Sequence, residues 1–352
     1  MMKSALHYGR RRVLGAVVAL VALGITGCAA EQSDGGSTSS APSAAAADGV
    51  FPVTVESALG TATIPAAPQR VVTLGQGSAE TAIALGQIPV GIEKYEWGSD
   101  STGYLPWIHE AVTKAGAELP KQFAGGDTLD VEAILELDPD VILAPWSGIT
   151  QEQYDVLSGI APTVAYPGKA WSTDWDEQIK IIGRALGKPS QAQGLIDQIN
   201  QRFADAAASR PNYPQHTFSY IYTNGPGTLG VFLPTEQRVA MVAKLGLKVD
   251  PVVETFPETE GTDSALIGLE KAEELRNSEL IFTFYTDAQT RREIEAQPLY
   301  AAIPAVAKGA VVASDDNPFV TASSMINPLT VPWVIDRYLP QIDEKLALLD
   351  KK

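Results

Sequence analysis

The chain is 352 residues long, 45% hydrophobic, 19% charged and 7% aromatic, with 26 basic against 42 acidic residues and a formal charge of −16. That length accommodates about two domains with enough chain to build packed cores, and the composition excludes a disordered, collagen-like or polytopic membrane protein. The acid surplus argues against nucleic acid as a partner, because phosphate binding needs a basic footprint, and a single cysteine, Cys28, leaves neither an internal disulfide nor a thiolate metal cluster.

Residues 1–27 carry Lys3, Arg10, Arg11 and Arg12 and no acidic residue, and an apolar run of thirteen from Val13 to Ile25 precedes Thr26, Gly27 and Cys28. A basic start, a short apolar stretch and small residues at its end read as a secretory signal peptide; the run is short of the ~20 apolar residues that span a bilayer. Ile25-Thr26-Gly27-Cys28 resembles a bacterial lipobox, which implies that Cys28 is lipidated and becomes the first mature residue. Gly9-Arg10-Arg11-Arg12-Val13-Leu14 also resembles a twin-arginine export signal, and ordinary secretory export fits the same residues. Removing residues 1–27 takes four positive and no negative charges, carrying the formal charge from −16 to −20. Residues 28–49, mostly Ala, Ser, Gly and Thr after Cys28, bury too little apolar surface to offset their ordering entropy and read as a flexible tether.

From Val50 onward short apolar runs alternate with helical patterns, the mark of α/β units. Arg70–Leu74 reads as a strand, followed by the turn Gly75-Gln76-Gly77 and a helix from Ser78 to Leu85 stopped by Gly86. Pro89–Ile92 is a second strand, Thr128–Leu137 an amphipathic segment, and Asp140–Ala144 a third strand. Gln151–Leu157 reads as helix, Thr163–Tyr166 as strand and Trp175–Leu186 as helix ended by Gly187. Ser190–Ser209 holds no Pro and spaces Leu195, Ile196, Ile199, Phe203 and Ala207 by threes and fours, which predicts one long helix without a strand of its own. After the break at Arg210–Pro214 a second series follows, with strands at Thr217–Tyr222, Leu247–Val252, Leu280–Phe284 and Ala310–Ala313 and helices near Thr235–Leu245, Leu269–Leu275 and Pro328–Leu346. The predicted organisation is a first α/β lobe over 50–188, a connecting helix over 189–210 and a second α/β lobe over 211–352.

Several pieces, taken in order, resemble the periplasmic-binding proteins of iron–siderophore and cobalamin uptake. They are Pro68–Leu74 with Glu80, Ala84-Leu85-Gly86 and Pro89-Val90-Gly91; Asp130–Ile134 before Leu137–Leu143; Leu157–Pro162; then Leu269–Ala272, Pro298-Leu299-Tyr300 and Pro332-Trp333. The resemblance covers roughly residues 50–348. It implies two α/β lobes joined by a single long helix, ligand in the cleft between them, and a monomer that delivers a ferric siderophore to an ABC permease from the outer face of the cell membrane. It also implies that one glutamate on the outer face of each lobe docks on the permease; by motif position these are Glu80 and Glu270, although Gly268 stands where a serine is usual.

In open α/β sheets ligands sit beyond the carboxyl ends of the strands, which directs attention to the loops that follow them. A ferric siderophore combines an apolar skirt with a ring of oxygen donors, so aromatic walls and guanidinium or phenol donors suit it. On that ground Tyr95, Trp97, Trp146, Trp171, Tyr222, Phe232, Arg238 and Tyr285 are the candidate ligand contacts. No further cofactor is expected.

Other signals lead elsewhere or nowhere. Gly225-Pro226-Gly227-Thr228-Leu229-Gly230 spells the dinucleotide fingerprint, but Val231–Pro234 reads as extended where that motif needs a helix to open. A bare zinc or manganese site needs converging ligands, and His109 and His216 have no His partner at ligand spacing. No Gly-x-Ser-x-Gly elbow occurs, which argues against a serine hydrolase. Haem or cobalamin capture by the same fold, and an exported enzyme or adhesion module on this scaffold, stand as the alternative readings.

Overall fold

The computed structural model describes residues 47–223, 225–259 and 262–349, all within one compact unit. The expected signal peptide, Cys28 and nearly all of the expected tether lie outside the described residues. Among the described residues no helix is long and apolar enough to cross a membrane.

The first lobe opens with an antiparallel hairpin, β1 (Val53–Glu56) and β2 (Thr61–Ile64). There follow β3 (Val71–Thr73), α1 (Ser78–Ala84), β4 (Gly91–Glu93), α2 (Pro106–Lys114), β5 (Lys121–Phe123), α3 (Val131–Glu136), β6 (Val141–Leu143), α4 (Gln151–Ser158), β7 (Thr163–Val164) and α5 (Trp175–Ala185). The sheet runs β5-β4-β3-β6-β7, all parallel. Its strands are short and buried on both faces, Val71, Val72, Val141, Ile142 and Leu143 all having no exposed surface, as parallel strands covered by helices require. The order reverses between β3 and β6, so the carboxyl ends of these two strands flank a crevice.

α6 (Pro189–Ala208) is the single connecting helix. It packs against α5 of the first lobe, where Gly183 lies close to Ala192. Further along it meets the last helix of the second lobe, through Arg202 Nη2 to Asp336 Oδ1 at 2.5 Å. The second lobe comprises β8 (Thr217–Tyr222), β9 (Gly230–Phe232), α7 (Gln237–Lys244), β10 (Lys248–Val249), β11 (Ser264–Leu266), β12 (Leu280–Phe284), α8 (Ala288–Glu295), α9 (Pro298–Ala301), α10 (Pro304–Ala307), β13 (Val311–Ser314), α11 (Asn317–Ala322) and α12 (Thr330–Leu349). Strands β10, β8, β12 and β13 are parallel. β9 turns back antiparallel along the last residues of β8, and β11 pairs antiparallel outside it.

In the first lobe the strand expected over Thr163–Tyr166 is two residues long, and in the second lobe two predicted elements differ from what formed. The strand expected over Leu247–Val252 is two residues long, because Asp250 accepts the Val252 N–H at 3.1 Å and Pro251 starts a 3-10 turn over Pro251–Thr255. The helix expected at Leu269–Leu275 is 3-10 throughout Leu269–Asn277. The extended path over Gly230–Phe232 is observed, so the glycine-rich segment before it opens no helix.

One apolar core runs through both lobes, from Val71 and Val141 through Ile196 and Phe203 of α6 to Phe218 and Ile281. The lobes also touch away from α6. Trp107 of α2 meets Trp333 of α12 edge-on at 5.5 Å, and Gly98, beyond β4, approaches Thr321 of α11 so closely that a Cβ there would lie 2.5 Å from Thr321 Oγ1.

Candidate ligand-binding cleft

A cavity of about 500 Å³ lies between the lobes, within the size range of small-molecule sites. The first lobe supplies Gln76 from the loop after β3, Trp146 from the loop after β6, and Lys169 to Trp175 from the segment after β7. The loops after β3 and β6 are those at the point where the strand order reverses. The second lobe supplies Phe232 at the end of β9, Thr235 to Arg238 at the start of α7, and Glu258, Thr262, Asp263 and Met325.

The first-lobe wall is built by hydrogen bonds that leave little freedom. Gly75, at φ 75°, passes so near the β6 loop that a Cβ there would sit 1.7 Å from the Trp146 carbonyl oxygen, which only glycine tolerates. The Gly75 N–H donates to Glu93 Oε2 at 2.8 Å, and Gln178 Nε2 donates to the Gln76 carbonyl at 2.7 Å. Thr173 Oγ1 donates to the Pro145 carbonyl at 2.6 Å and the Trp171 N–H to the Ser147 carbonyl at 3.2 Å, stitching the β6 and β7 loops together. Trp171 is held at φ 60° and is still 46% exposed, with its ring edge-on to Trp146 at 4.9 Å and over Gly148. A bulky side chain in the left-handed region persists only where its surroundings impose it, and such strain gathers at binding sites. Trp171 and Asp263 are two of the three non-glycine residues with positive φ among the described residues, and both face this cavity.

In the second lobe Glu236 precedes α7 and accepts the Arg238 N–H at 2.8 Å, while its other oxygen pairs with Arg238 Nη1. Burial raises the Glu236 carboxyl above its ordinary range, against the opposing pull of Arg238. The Arg238 guanidinium lies 4.8 Å from the centre of the Phe232 ring and 5.7 Å from that of Phe284, and its Nε is buried with no hydrogen-bond partner among the described residues. Thr235 Oγ1 donates to Asp263 Oδ1 at 2.6 Å. The Asp263 carboxyl is raised chiefly by burial, with the charges of Glu258 and Asp174 adding to it.

Of the predicted contacts, Trp146, Trp171, Phe232 and Arg238 line the cavity. Tyr222 does not line it but backs it, its ring 4.7 Å from Phe232 and its hydroxyl 3.0 Å from Ser264 Oγ. Tyr95 stands behind the β3 turn and donates to Glu93 Oε2 at 3.2 Å; burial and that carboxylate hold its phenol well above its ordinary value. Trp97 is 41% exposed beside the Gly98–Thr321 contact and does not line the cavity. Tyr285 is 4% exposed in the core of the second lobe, with its hydroxyl 2.9 Å from that of Tyr300; following a strand did not bring it to the cleft because α9 covers it.

Glu80 requires a correction. It is 3% exposed rather than on an outer face. Its Oε2 accepts the Gly77 N–H at 3.0 Å at the start of α1 and its Oε1 accepts Trp107 Nε1–H at 2.9 Å, so both oxygens are committed to the fold. Burial raises its carboxyl above the ordinary range. Glu270 is exposed. The residues that sequence reasoning missed are the polar ones of the second lobe, Thr235, Glu236, Glu258 and Asp263. Only Thr235 and Glu236, just before a predicted helix, carried a local signal, as candidate caps.

Several relatives of this chain are named for siderophores or ferric chelates, and two for cobalamin. The Bacillus subtilis probable siderophore-binding lipoprotein YfiY is 31% identical over 170 residues, about half of each chain (48% of this one, 49% of that). The Escherichia coli Fe(3+) dicitrate-binding periplasmic protein FecB is 26% identical over 271 residues, 76% of this chain and 83% of that. The Streptococcus pneumoniae PiaA structure in complex with ferrichrome superposes with a TM-score of 0.76 at 30% identity, over 84% of this chain and 99% of that one. Residues 71–318 match the family described as periplasmic binding protein, a span that contains both sheets and nearly all of the cleft, and the chain belongs to that family.

Proposed function

We propose that this protein is an extracytoplasmic substrate-binding protein that captures a ferric siderophore in the interlobe cleft and delivers it to an ABC permease. The observation that carries the reading is the cleft wall: Trp146, Trp171 and Trp175 from one lobe face Phe232 and Arg238 from the other around a cavity of about 500 Å³. Aromatic faces suit the apolar skirt of a chelate, and a guanidinium donor suits its oxygens. Two relatives and a structural neighbour whose names or titles specify siderophores or ferric chelates support the same reading. With three tryptophans in the wall, a ferric hydroxamate or catecholate entering the cleft quenches the protein's fluorescence at sub-micromolar concentration; no quenching by either class overturns the reading.

Delivery needs a surface for the permease, and the burial of Glu80 moves the first-lobe candidate elsewhere. The helical segments Val131–Glu136 and Leu269–Asn277 each carry a glutamate at their second position, Glu132 and Glu270, and each leads into a sheet strand, β6 and β12. Glu132 and Glu270 therefore occupy corresponding places in the two lobes, and both are exposed. In our reading this pair docks on the permease. Alanine at both lowers cellular uptake while the quenching affinity stays at the wild-type value; uptake at the wild-type rate counts against the pair. Lipidation of Cys28 completes the reading, and Cys28→Ser then releases the protein from the membrane; undiminished membrane retention refutes the anchor.

A further inference from the structure

The charges around the cleft bear on which ferric complex it prefers, an inference that rests on the siderophore reading above. The site itself stands on the cavity and its aromatic walls. Two cationic side chains face the cavity, Lys169 and Arg238, against four carboxylates, Asp174, Glu236, Glu258 and Asp263. Arg238 is already matched, since Glu236 holds both its guanidinium and its backbone N–H. Lys169 is exposed, so three carboxylates oppose one exposed ammonium.

Those three come from both sides of the cleft. Asp174 belongs to the first lobe, at the start of α5, and Glu258 and Asp263 to the segment before and at the edge strand β11 of the second. Asp263 is not free to swing away: its backbone is at φ 49°, its carbonyl accepts the Leu233 N–H at 3.1 Å, and Thr235 Oγ1 holds its carboxyl at 2.6 Å. The charges of Glu258 and Asp174 both raise its carboxyl, so the three share one field across the cleft.

We propose that the cleft selects ferric trihydroxamates bearing a pendant ammonium group and discriminates against ferric tris-catecholates. Three hydroxamates neutralise the ferric charge, leaving a chelate core that the aromatic walls accept without a counter-ion. A pendant ammonium then meets the field of Asp174, Glu258 and Asp263. A tris-catecholate complex is trianionic; it meets the same carboxylates with one committed guanidinium and one exposed lysine to answer three negative charges, and the unfavourable charge lowers its affinity.

The test is a tryptophan-quenching titration of the mature chain at neutral pH and low salt with three probes: a linear ferric trihydroxamate with a free terminal amine, the same complex with that amine acetylated, and a ferric tris-catecholate. The ammonium form is expected to bind at least about threefold tighter than the acetylated form, and the catecholate at least about tenfold weaker than either. The ammonium advantage shrinks toward unity when salt is raised to about 0.5 M, as screening requires. In Asp174→Asn/Glu258→Gln/Asp263→Asn the ratio between the first two probes collapses toward one; asparagine tolerates the left-handed backbone at 263 and can still accept from Thr235. Should that variant misfold, the salt dependence of the wild-type ratio decides alone. Equal affinity for the two hydroxamates at low salt, or catecholate binding as tight as hydroxamate, overturns the charge selection and leaves the siderophore reading standing. Absence of quenching by all three overturns both.

Discussion

Trp171→Gly separates a binding residue from a packing residue. At φ 60° the indole pays the left-handed penalty of an L-residue, about 1–2 kcal/mol, which glycine does not. Glycine in turn forfeits the edge-on contact with Trp146, worth ~0.5–1.5 kcal/mol, and adds ~0.5–1 kcal/mol of unfolded-chain entropy. The buried half of the side chain, on the order of 100 Å² packed on Gly148 and its surroundings, adds a loss of ~2–3 kcal/mol, so stability should fall by about 2–3 kcal/mol, read from the urea midpoint. Ligand binding is another matter. With the side chain 46% exposed, on the order of 100 Å² of ring is left for a ligand to cover, worth ~2 kcal/mol at the usual apolar coefficient and about thirtyfold in Kd. The assay is quenching of the remaining wall tryptophans, Trp146 and Trp175, by a ferric hydroxamate. A variant that binds at the wild-type affinity would refute the reasoning, because the strained indole would then serve the fold and not the site.

Three further perturbations test the surroundings of the cleft. Glu80→Gln sets an amide –NH₂ against either the Trp107 indole N–H or the Gly77 N–H and should cost ~1–3 kcal/mol. Because burial raises the folded carboxyl, Glu80's proton-linked contribution is complete below the ordinary carboxylate range and is lost as pH rises through the folded value. The stability gap between wild type and variant therefore narrows from acid toward neutral pH in denaturant titrations; a gap that widens contradicts the burial argument. Tyr285→Phe removes the hydroxyl pair with Tyr300 and should cost ~1–2 kcal/mol in thermal melts while ferric hydroxamate affinity stays unchanged; a tenfold loss of affinity would return Tyr285 to the site. Gly75→Ala forces a Cβ to within 1.7 Å of the Trp146 carbonyl at a positive φ and should lower stability by at least ~2 kcal/mol and weaken quenching; a variant as stable as the parent would show that the two loops are not locked together.

Much of the fold was legible because it rests on local periodicity. The strands Thr217–Tyr222 and Leu280–Phe284 formed with the predicted bounds, and the connecting helix formed over Pro189–Ala208 against a prediction of Ser190–Ser209. Apolar residues spaced by threes and fours, with no strand beside them, permit little else. Legibility failed where a proline or a capping side chain took over the backbone, as at Asp250-Pro251, and where a three-residue element such as β5 carries too few apolar residues to show a period.

The candidate site was legible by a different rule and to a smaller extent. Looking beyond strand ends found Trp146, because the reversal of strand order places the ends of β3 and β6 around one crevice, and it also found Trp171 and Phe232, which the segment after β7 and the antiparallel strand β9 bring to the same cavity. The same rule also gathered Tyr285 and Tyr95, since several strand ends yield an aromatic but the covering elements decide which of them reach the cavity. Glu80 shows the limit most sharply. A glutamate near the start of a helix reads as a solvated surface residue, and nothing local says that Trp107, twenty-seven positions on, will close over it.

The sequence alone determined that the chain is an α/β protein with two strand–helix series and one long helix between them, since periodicity and turn residues are properties of contiguous residues. Only the tertiary structure decided which carboxylates are buried and which face the cleft, that Glu236 takes up the charge of Arg238, and that Asp174 shares a field with Glu258 and Asp263 across the gap between lobes. Burial and electrostatic coupling depend on distances between residues far apart in the chain, and those distances exist only once the two sheets have packed about α6.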